Sequence, residues 1–185
     1  NGDITLNKGD NDPWIIKLNS IGDVEWQKTY GGKLHDGAYC IKETFDGGYV
    51  FTGNSNSSDG DLTENKGYLD VWILKLRFDG KIEWQKTMGG KGFDRGESME
   101  QTKDGGFVIT GYNTSNNGDV TDNRGLSDFW VIKLSPTYSF YQSDQSNAVF
   151  SIVKNIAEVS DIDLGKCLFG SVKDSIISDF IRNSG

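Results

Sequence analysis

The sequence predicts an all-β protein built from repeated groups of antiparallel strands. The strings PWIIKL, VWILKL and FWVIKL begin at residues 13, 71 and 129, so Trp14, Trp72 and Trp130 recur at one constant interval. Asp-Gly-Gly turn signals recur at the same interval, at Asp46 and Asp104. The 24 glycines and the 12% of aromatic residues also suit many short strands joined by tight turns.

Each period of the repeat is predicted to hold four strands. The strands predicted for the complete copy are residues 37–45, 48–54, 70–77 and 81–88. Asp46-Gly47-Gly48 joins the first two, because Asp-Gly favours the positive φ angles that a hairpin turn needs. A gapless overlay of residues 12–69 on residues 70–127 gives 28 identities in 58 positions. A fixed period of this kind decides the architecture.

The strands within a period differ in polarity. W-I-L-K-L at Trp72 is apolar at most positions, as in a strand buried on both faces. E-W-Q-K-T at Glu83 carries charge, as in an edge strand. A small sheet graded in this way and repeated is typical of a β-propeller blade. A linear β-solenoid is the alternative, but solenoid turns are usually shorter. The predicted repeat segment, residues 1–135, holds about two and a half blades: a partial blade at 12–30, a full blade at 37–88 and a partial blade at 96–134.

The repeat disappears after residue 135. Residues 136–158 are rich in Ser, Asn and Gln and are predicted to be a linker or connecting strand. Residues 159–185 alternate loosely, which favours strands, although a helix at Asp174–Arg182 is the alternative. We expect the chain to be part of a longer array, because it opens inside one copy of a repeated loop.

Composition excludes several classes of protein. The net charge of −8 argues against a nucleic-acid partner, because phosphate binding needs a basic surface. No apolar stretch approaches the ~20 residues that span a bilayer. Cys40 and Cys167 are expected to be free thiols, since Ser98 occupies the position of Cys40 in the next copy.

Catalytic signals are weak. The single histidine, His35, aligns with Phe93 in the next copy and is therefore a variable loop residue. No Ser/His/Asp or Cys/His set has support from the sequence. The glycines of GGKGFDRG at Gly89 are spaced partly like a dinucleotide-binding loop, but a strand follows where that loop needs a helix. We therefore predict that the chain is not an enzyme.

A repeated acidic loop is the best candidate for a binding site. Oxygen-bearing side chains alternate before the W-I-L-K-L strand, and a carboxylate follows eleven residues after the first one, which is how a loop wraps calcium. The predicted ligands are Asp59, Asp61, Thr63, Asn65 and Asp70. The alternative is that these side chains cap the backbone through local turns. The equivalent residues in the other copies are Asn1, Asp3, Thr5, Asn7 and Asp12, and Asn117, Asp119, Thr121, Asn123 and Asp128.

Four motifs fall in order along the repeat: W-I-x-K-L, D-G-x-I-E-W-Q-K-T-x-G-G, D-G-G-[YF]-V-x-T-G and G-D-x-T-x-N-x-G. This pattern, over residues 1–134, resembles repeats of large secreted bacterial surface proteins. The resemblance implies β-propellers that are often exported by type IX secretion. Residues 159–185 resemble the opening strands of an immunoglobulin-like module of the ASH (choice-of-anchor D) kind.

Together these features predict an extracellular or cell-surface protein with a non-catalytic role in display, adhesion or assembly. The expected partners are proteins or carbohydrates at the cell surface, or copies of the protein itself. Two alternatives remain. One is a calcium-stabilised carbohydrate-binding propeller, and the other is the non-catalytic part of a larger secreted enzyme.

Overall fold

The computed structural model describes residues 7–136, and these residues form nine strands and no helix. The strands are β1 (Trp14–Leu18), β2 (Val24–Thr29), β3 (Asp36–Glu43), β4 (Tyr49–Ser55), β5 (Asp70–Leu76), β6 (Ile82–Met88), β7 (Asp94–Gln101), β8 (Phe107–Asn113) and β9 (Asp128–Leu134). They form a first sheet (β1–β2), a central sheet (β3–β4–β5–β6) and a last sheet (β7–β8–β9). The all-β prediction is confirmed for this part of the chain. The predicted linker beyond residue 136 and the predicted module at 159–185 lie outside the described residues.

All six strand pairs are antiparallel and join neighbours in the sequence. The four strands predicted between residues 37 and 88 therefore form one four-stranded sheet, with their ends displaced by no more than two residues. The Asp-Gly-Gly turns are hairpins, as predicted. Gly47 and Gly105 take φ angles of 76° and 85°, and Asp46 Oδ1 accepts a hydrogen bond from Gly48 N at 3.0 Å.

The structure repeats in register from one period of the sequence to the next. The β3–β4 pair has a bulge between Ala38 and Cys40, and the β7–β8 pair has the equivalent bulge between Gly96 and Ser98. At this point the backbones approach so closely that a Cβ at Gly53 would lie 1.8 Å from Gly37 O. Only glycine fits there. The same bulge therefore requires the glycine of the T-G sequence in both copies.

Strand β5 is the most buried element of the central sheet. All seven of its residues are buried, as predicted for a strand covered on both faces, whereas β6 is partly exposed. Its one lysine, Lys75, is only 3% exposed and pairs with Asp46 at 2.9 Å and Glu83 at 3.1 Å. A buried charge needs such partners. The lysine of W-I-x-K-L thus links the Asp-Gly-Gly turn to the E-W-Q-K-T strand.

Consecutive sheets pack face to face through two apolar clusters. Tyr30 of the first-to-central connection lies in one cluster with Phe51, Trp72, Leu74 and Leu76 of the central sheet. The rings of Phe51 and Trp72 meet edge to face, with their centroids 5.0 Å apart. The opposite face of the central sheet packs on the last sheet. The residues of that second cluster include Val71, Ile73, Met88, Met99, Ile109 and Ile132.

Cys40 lies in this second cluster and is 6% exposed. The prediction of a free thiol is wrong for this residue, because its sulfur is disulfide-bonded. Comparing the copies of the repeat could not predict this bond, because the residue equivalent to Cys40 in the next copy is Ser98.

Candidate functional site

The five predicted ligands lie in or beside the loop that joins β4 to β5. We call residues 56–69 the acidic loop. Gly60 in this loop takes a φ of 66°, and a Cβ there would lie only 2.4 Å from Gly31 O. The loop is therefore pressed against the connection between β2 and β3, which links the first sheet to the central sheet.

Asp59 and Asp61 both bind the backbone of that connection. Asp59 Oδ1 accepts a hydrogen bond from Lys33 N at 2.8 Å, and its other oxygen pairs with Lys33 Nζ at 3.0 Å. The backbone bond and then the side-chain bond from Lys33 lower the pKa of Asp59. Asp61 Oδ2 accepts from Gly31 N at 2.9 Å and also pairs with Lys8 Nζ. These two carboxylates join neighbouring sheets.

Thr63 and Asn65 contact strands of their own sheet and the backbone of their own loop. Thr63 is exposed, and its hydroxyl accepts a hydrogen bond from Gln85 Nε2 of β6 at 2.7 Å. Asn65 Oδ1 accepts from Gly67 N at 2.9 Å, and Asn65 Nδ2 donates to Ser55 O at 2.9 Å. Asn65 therefore caps the backbone of its own loop, as in the local-turn alternative.

Asp70 is the first residue of β5 and does not belong to the loop. It is fully buried, and its Oδ2 accepts a hydrogen bond from Lys66 N at 2.6 Å. Its Oδ1 has no hydrogen-bond partner among the described residues. Burial raises the pKa of Asp70 to about 6 against the lowering effect of the Lys66 amide, and the charge of Asp94 raises it further.

Asp70 belongs to a cluster that we call the Gly89 junction: Lys66, Asp70, Gly89, Asp94 and Asp119. Gly89 N donates to Asp119 Oδ2 at 3.0 Å, and Lys66 Nζ pairs with the same oxygen at 2.6 Å. A Cβ on Gly89 would lie 2.3 Å from Asp70 Oδ1 and 2.6 Å from Asp94 Oδ2. Three carboxylates and one lysine thus surround a single glycine, where the central sheet meets the last sheet.

The same cluster recurs one period earlier as the Gly31 junction: Lys8, Asp12, Gly31, Asp36 and Asp61. A Cβ on Gly31 would lie 2.1 Å from Asp12 Oδ1 and 2.8 Å from Asp36 Oδ2. Asp12 Oδ2 accepts a hydrogen bond from Lys8 N at 2.6 Å. Asp12 Oδ1, like Asp70 Oδ1, is buried and has no partner among the described residues. The two junctions therefore share both their bonds and their one unsatisfied oxygen.

Sequence reasoning missed two buried carboxylates of the junctions, Asp36 and Asp94. Asp94 Oδ2 accepts hydrogen bonds from Gly90 N at 2.8 Å and from Ser115 Oγ at 2.6 Å. Asp36 has the equivalent bonds, from Gly32 N at 2.7 Å and Ser57 Oγ at 2.9 Å. The available signal was G-G-K-x-x-D, which stands at both Gly31 and Gly89.

The second copy of the acidic loop makes equivalent contacts through four of its five ligand positions, and among the five only the first differs in residue type. Asn117, which replaces Asp59, accepts a hydrogen bond from Lys91 N through Oδ1 at 2.9 Å. Asn123 Oδ1 accepts from Gly125 N at 2.9 Å, and Asp128 Oδ2 accepts from Arg124 N at 2.6 Å. The Asn117 amide oxygen therefore accepts the bond that the Asp59 carboxylate accepts in the first copy. This indicates that the position needs a hydrogen-bond acceptor rather than a negative charge.

The predicted ligands therefore lie at different sites and do not converge on one point. Asp59 and Asp61 bind the β2–β3 connection, whereas Asp70 lies at the Gly89 junction. Within residues 7–136, no group of three or more His, Cys, Asp or Glu residues is arranged to hold a metal ion. The arrangement joins one period of the repeat to the next through carboxylate-to-amide hydrogen bonds.

An open depression of about 420 Å³ lies between the first and central sheets. Two of its polar groups are bonded to the β5–β6 turn: Tyr30 donates its hydroxyl to Gly80 O at 2.7 Å, and Lys28 Nζ donates to Asp79 O at 2.9 Å. Burial raises the pKa of Tyr30, and the charges of Asp61 and Asp79 add to the effect. These contacts hold the β5–β6 turn in place.

His35 lies in the β2–β3 connection and is half-buried. Its Nδ1 is 3.0 Å from Asn11 Nδ2, and its backbone N donates to Asn56 Oδ1 at 2.7 Å. Both neighbours are amide side chains, so these contacts supply neither a carboxylate nor a nucleophile.

No protein-family model matches the chain, and no curated protein matches it significantly. Over the described part of the chain, no helix is long and apolar enough to cross a membrane.

Proposed function

We propose that this chain is a non-catalytic repeat protein of the cell surface or extracellular space that acts in display, adhesion or assembly. The observation that carries the proposal is the repetition of the junctions. Gly31 N binds Asp61 and Gly89 N binds Asp119, and Lys8 and Lys66 pair with the same two carboxylates. Each period is therefore fixed to the next in one geometry, as a rigid spacer or binding scaffold requires.

We further propose that the three sheets are blades of a β-propeller. The central sheet has four antiparallel strands in chain order, and neighbouring sheets contact each other through apolar faces. In a linear β-solenoid, each coil would pair with the next through backbone ladders. Here the only parallel contacts between described residues of neighbouring sheets are two single bridges, Asn11 with His35 and Leu69 with Phe93. Packing through faces favours the propeller.

A non-catalytic role is favoured by the way the ionisable groups are used. Asp36 and Asp94 are buried and accept hydrogen bonds from backbone amides and serine hydroxyls. Lys75 is buried and pairs with two carboxylates. Groups engaged in this manner are held by the fold, whereas a catalytic group must face a site that substrate can reach. The surface location rests on the resemblance of the repeat motifs to secreted bacterial surface proteins.

An antibody raised against residues 7–136 tests the location. Intact source cells should be labelled as strongly as permeabilised cells, and labelling that requires permeabilisation would contradict the proposal. Beads coated with the folded chain should then be retained on surfaces carrying cell-surface proteins or glycans, compared with beads coated with heat-unfolded chain. Equal retention of both would argue against adhesion. Retention on glycans that is lost with a chelator would favour the calcium-stabilised carbohydrate-binding alternative.

A further inference from the structure

The outward face of β1 is exposed, although its sequence repeats a face that is buried in the central sheet. Trp14, Ile16 and Leu18 are 36%, 38% and 52% exposed. The equivalent residues of β5 are Trp72, Leu74 and Leu76, and each is 0% exposed. The same positions of the same repeat are therefore covered in one sheet and open in another.

The residues that cover β5 are known, because the first sheet supplies them. Trp26 Nε1 donates to Phe78 O at 3.1 Å, and the Trp26 ring lies 3.1 Å from where a Cβ of Gly80 would be. Tyr30 completes the cover, packing with the three buried residues of β5 and bonding to Gly80 O. The first sheet has an equivalent turn at residues 20–22, but nothing lies within 4 Å of a Cβ on Gly22.

Strand β1 also has an open edge. In the central sheet, β5 pairs with β4 on one side and with β6 on the other. Strand β1 pairs with β2, and no other described strand pairs with it. The missing neighbour corresponds to β4, and the missing cover corresponds to β1–β2. One period of the repeat contains both, in the required order.

A second copy of this chain does not supply the missing parts from its described residues. The hairpins that could complete β1 are β3–β4 and β7–β8, but β4 is already paired with β5 and β8 with β9. The occupant must therefore bring an unpaired hairpin of the β3–β4 kind, together with the Trp and Tyr of an E-W-Q-K-T-Y strand.

We propose that the face and open edge of β1 are the docking surface for one further period of this repeat, seated as the first sheet sits on the central sheet. This inference deepens the assembly role proposed above and rests on it. With that period docked, Trp14 is buried as Trp72 is, in keeping with their equivalent positions in the repeat.

The test is a full chain in which residues 12–69 are duplicated in tandem, so that one copy of β1 gains a preceding period. In this extended chain, backbone amides of the downstream β1 should exchange with solvent at least about tenfold more slowly than those of β1 in the original chain. Trp14→Ala in the downstream copy should lower the melting temperature by roughly 10 °C, as expected for a buried tryptophan. The matched control is Trp14→Ala in the upstream copy, which should lower the melting temperature far less.

Three results would overturn the proposal. The first is a downstream β1 that exchanges as fast as in the original chain. The second is an extended chain less stable than the original. The third is self-association of the original chain in sedimentation velocity that Ile16→Glu abolishes, because a second copy would then occupy the face. None of these results changes the labelling of intact cells, so a failure here is distinguishable from a failure of the proposed function.

Discussion

The Gly31 junction and the Gly89 junction differ mainly at the tip of the acidic loop that closes each of them. At the first, Asp59 accepts from Lys33 N and also pairs with the lysine side chain. At the second, Asn117 accepts from Lys91 N alone. The buried carboxylates, the glycine and the bond to its amide are the same. The loop tip thus accepts the same backbone bond through a carboxylate in one copy and an amide in the other, whereas the inner arrangement is repeated.

The largest expected effect comes from adding a methyl group at the junction glycines. Gly31→Ala would place a Cβ 2.1 Å from Asp12 Oδ1 at a φ of 143°, and Gly89→Ala would place one 2.3 Å from Asp70 Oδ1. Overpacking and backbone strain should together lower the free energy of unfolding by about 3 kcal/mol or more at Gly31, and by somewhat less at Gly89. Urea denaturation measures both effects.

Gly125→Ala is the control for these substitutions, because nothing lies within 4 Å of its Cβ position. It should change the free energy of unfolding by no more than about 0.5 kcal/mol. Equal, small effects at all three glycines would mean that the junctions are loosely packed.

A smaller effect should follow from the raised pKa of Asp70. Burial raises that pKa from 3.8 to about 6, so the folded chain holds the proton more tightly than the unfolded chain does. This group therefore contributes stability at low pH that is lost as the pH rises from about 4 to about 6. Urea midpoints of the wild type should fall across this window more steeply than those of Asp70→Asn.

The pKa of Asp104 is shifted in the opposite sense. Burial of Asp104 is outweighed by bonds from Lys133, Thr102 and Gly106, which hold its pKa at about 2. The difference between wild type and Asp70→Asn is therefore the informative quantity. Parallel curves for the two proteins would contradict a proton on Asp70 in the folded state.

The smallest change is expected at the loop tip. Asp59→Asn should leave the urea midpoint unchanged, because Asn117 makes the equivalent bond in the other copy. Asp59→Ala should accelerate hydrogen exchange at the Lys33 amide, which loses its acceptor, while Asp59→Asn should keep that amide protected. Loss of protection in both variants would show that the charge matters, and that the two junctions are not equivalent.

The strands were predictable because their signals are local. Asp46-Gly47-Gly48 makes a hairpin with the bonds of its own residues, and the polarity of W-I-L-K-L alone marks β5 as the buried strand of the central sheet. The partners of the acidic loop were not predictable in the same way. Asp61 binds Gly31 N in a distant part of the sequence, and this contact exists only after two sheets have packed.

The same limit explains Asp70. Its spacing from Asp59 predicts one calcium-binding loop, whereas in the structure β5 begins at Asp70 and the carboxylate of Asp70 lies at the next junction. One period contributes Asp61 to the Gly31 junction and Asp70 to the Gly89 junction. The resulting spacing of carboxylates in the sequence is the same as that expected of a loop that wraps a cation. The repeated G-G-K-x-x-D could have separated them, because it places a second aspartate beside each glycine.

The most direct test of the junction assignment is a thermal melt with millimolar calcium and with excess chelator. If Asp59, Asp61, Thr63, Asn65 and Asp70 serve the fold through hydrogen bonds, the two melting temperatures should agree within about 1 °C, since no ion binds the folded state preferentially. A melting temperature that rises with calcium, falls with chelator and loses this response in Asp61→Asn would contradict the assignment and support the predicted cation site.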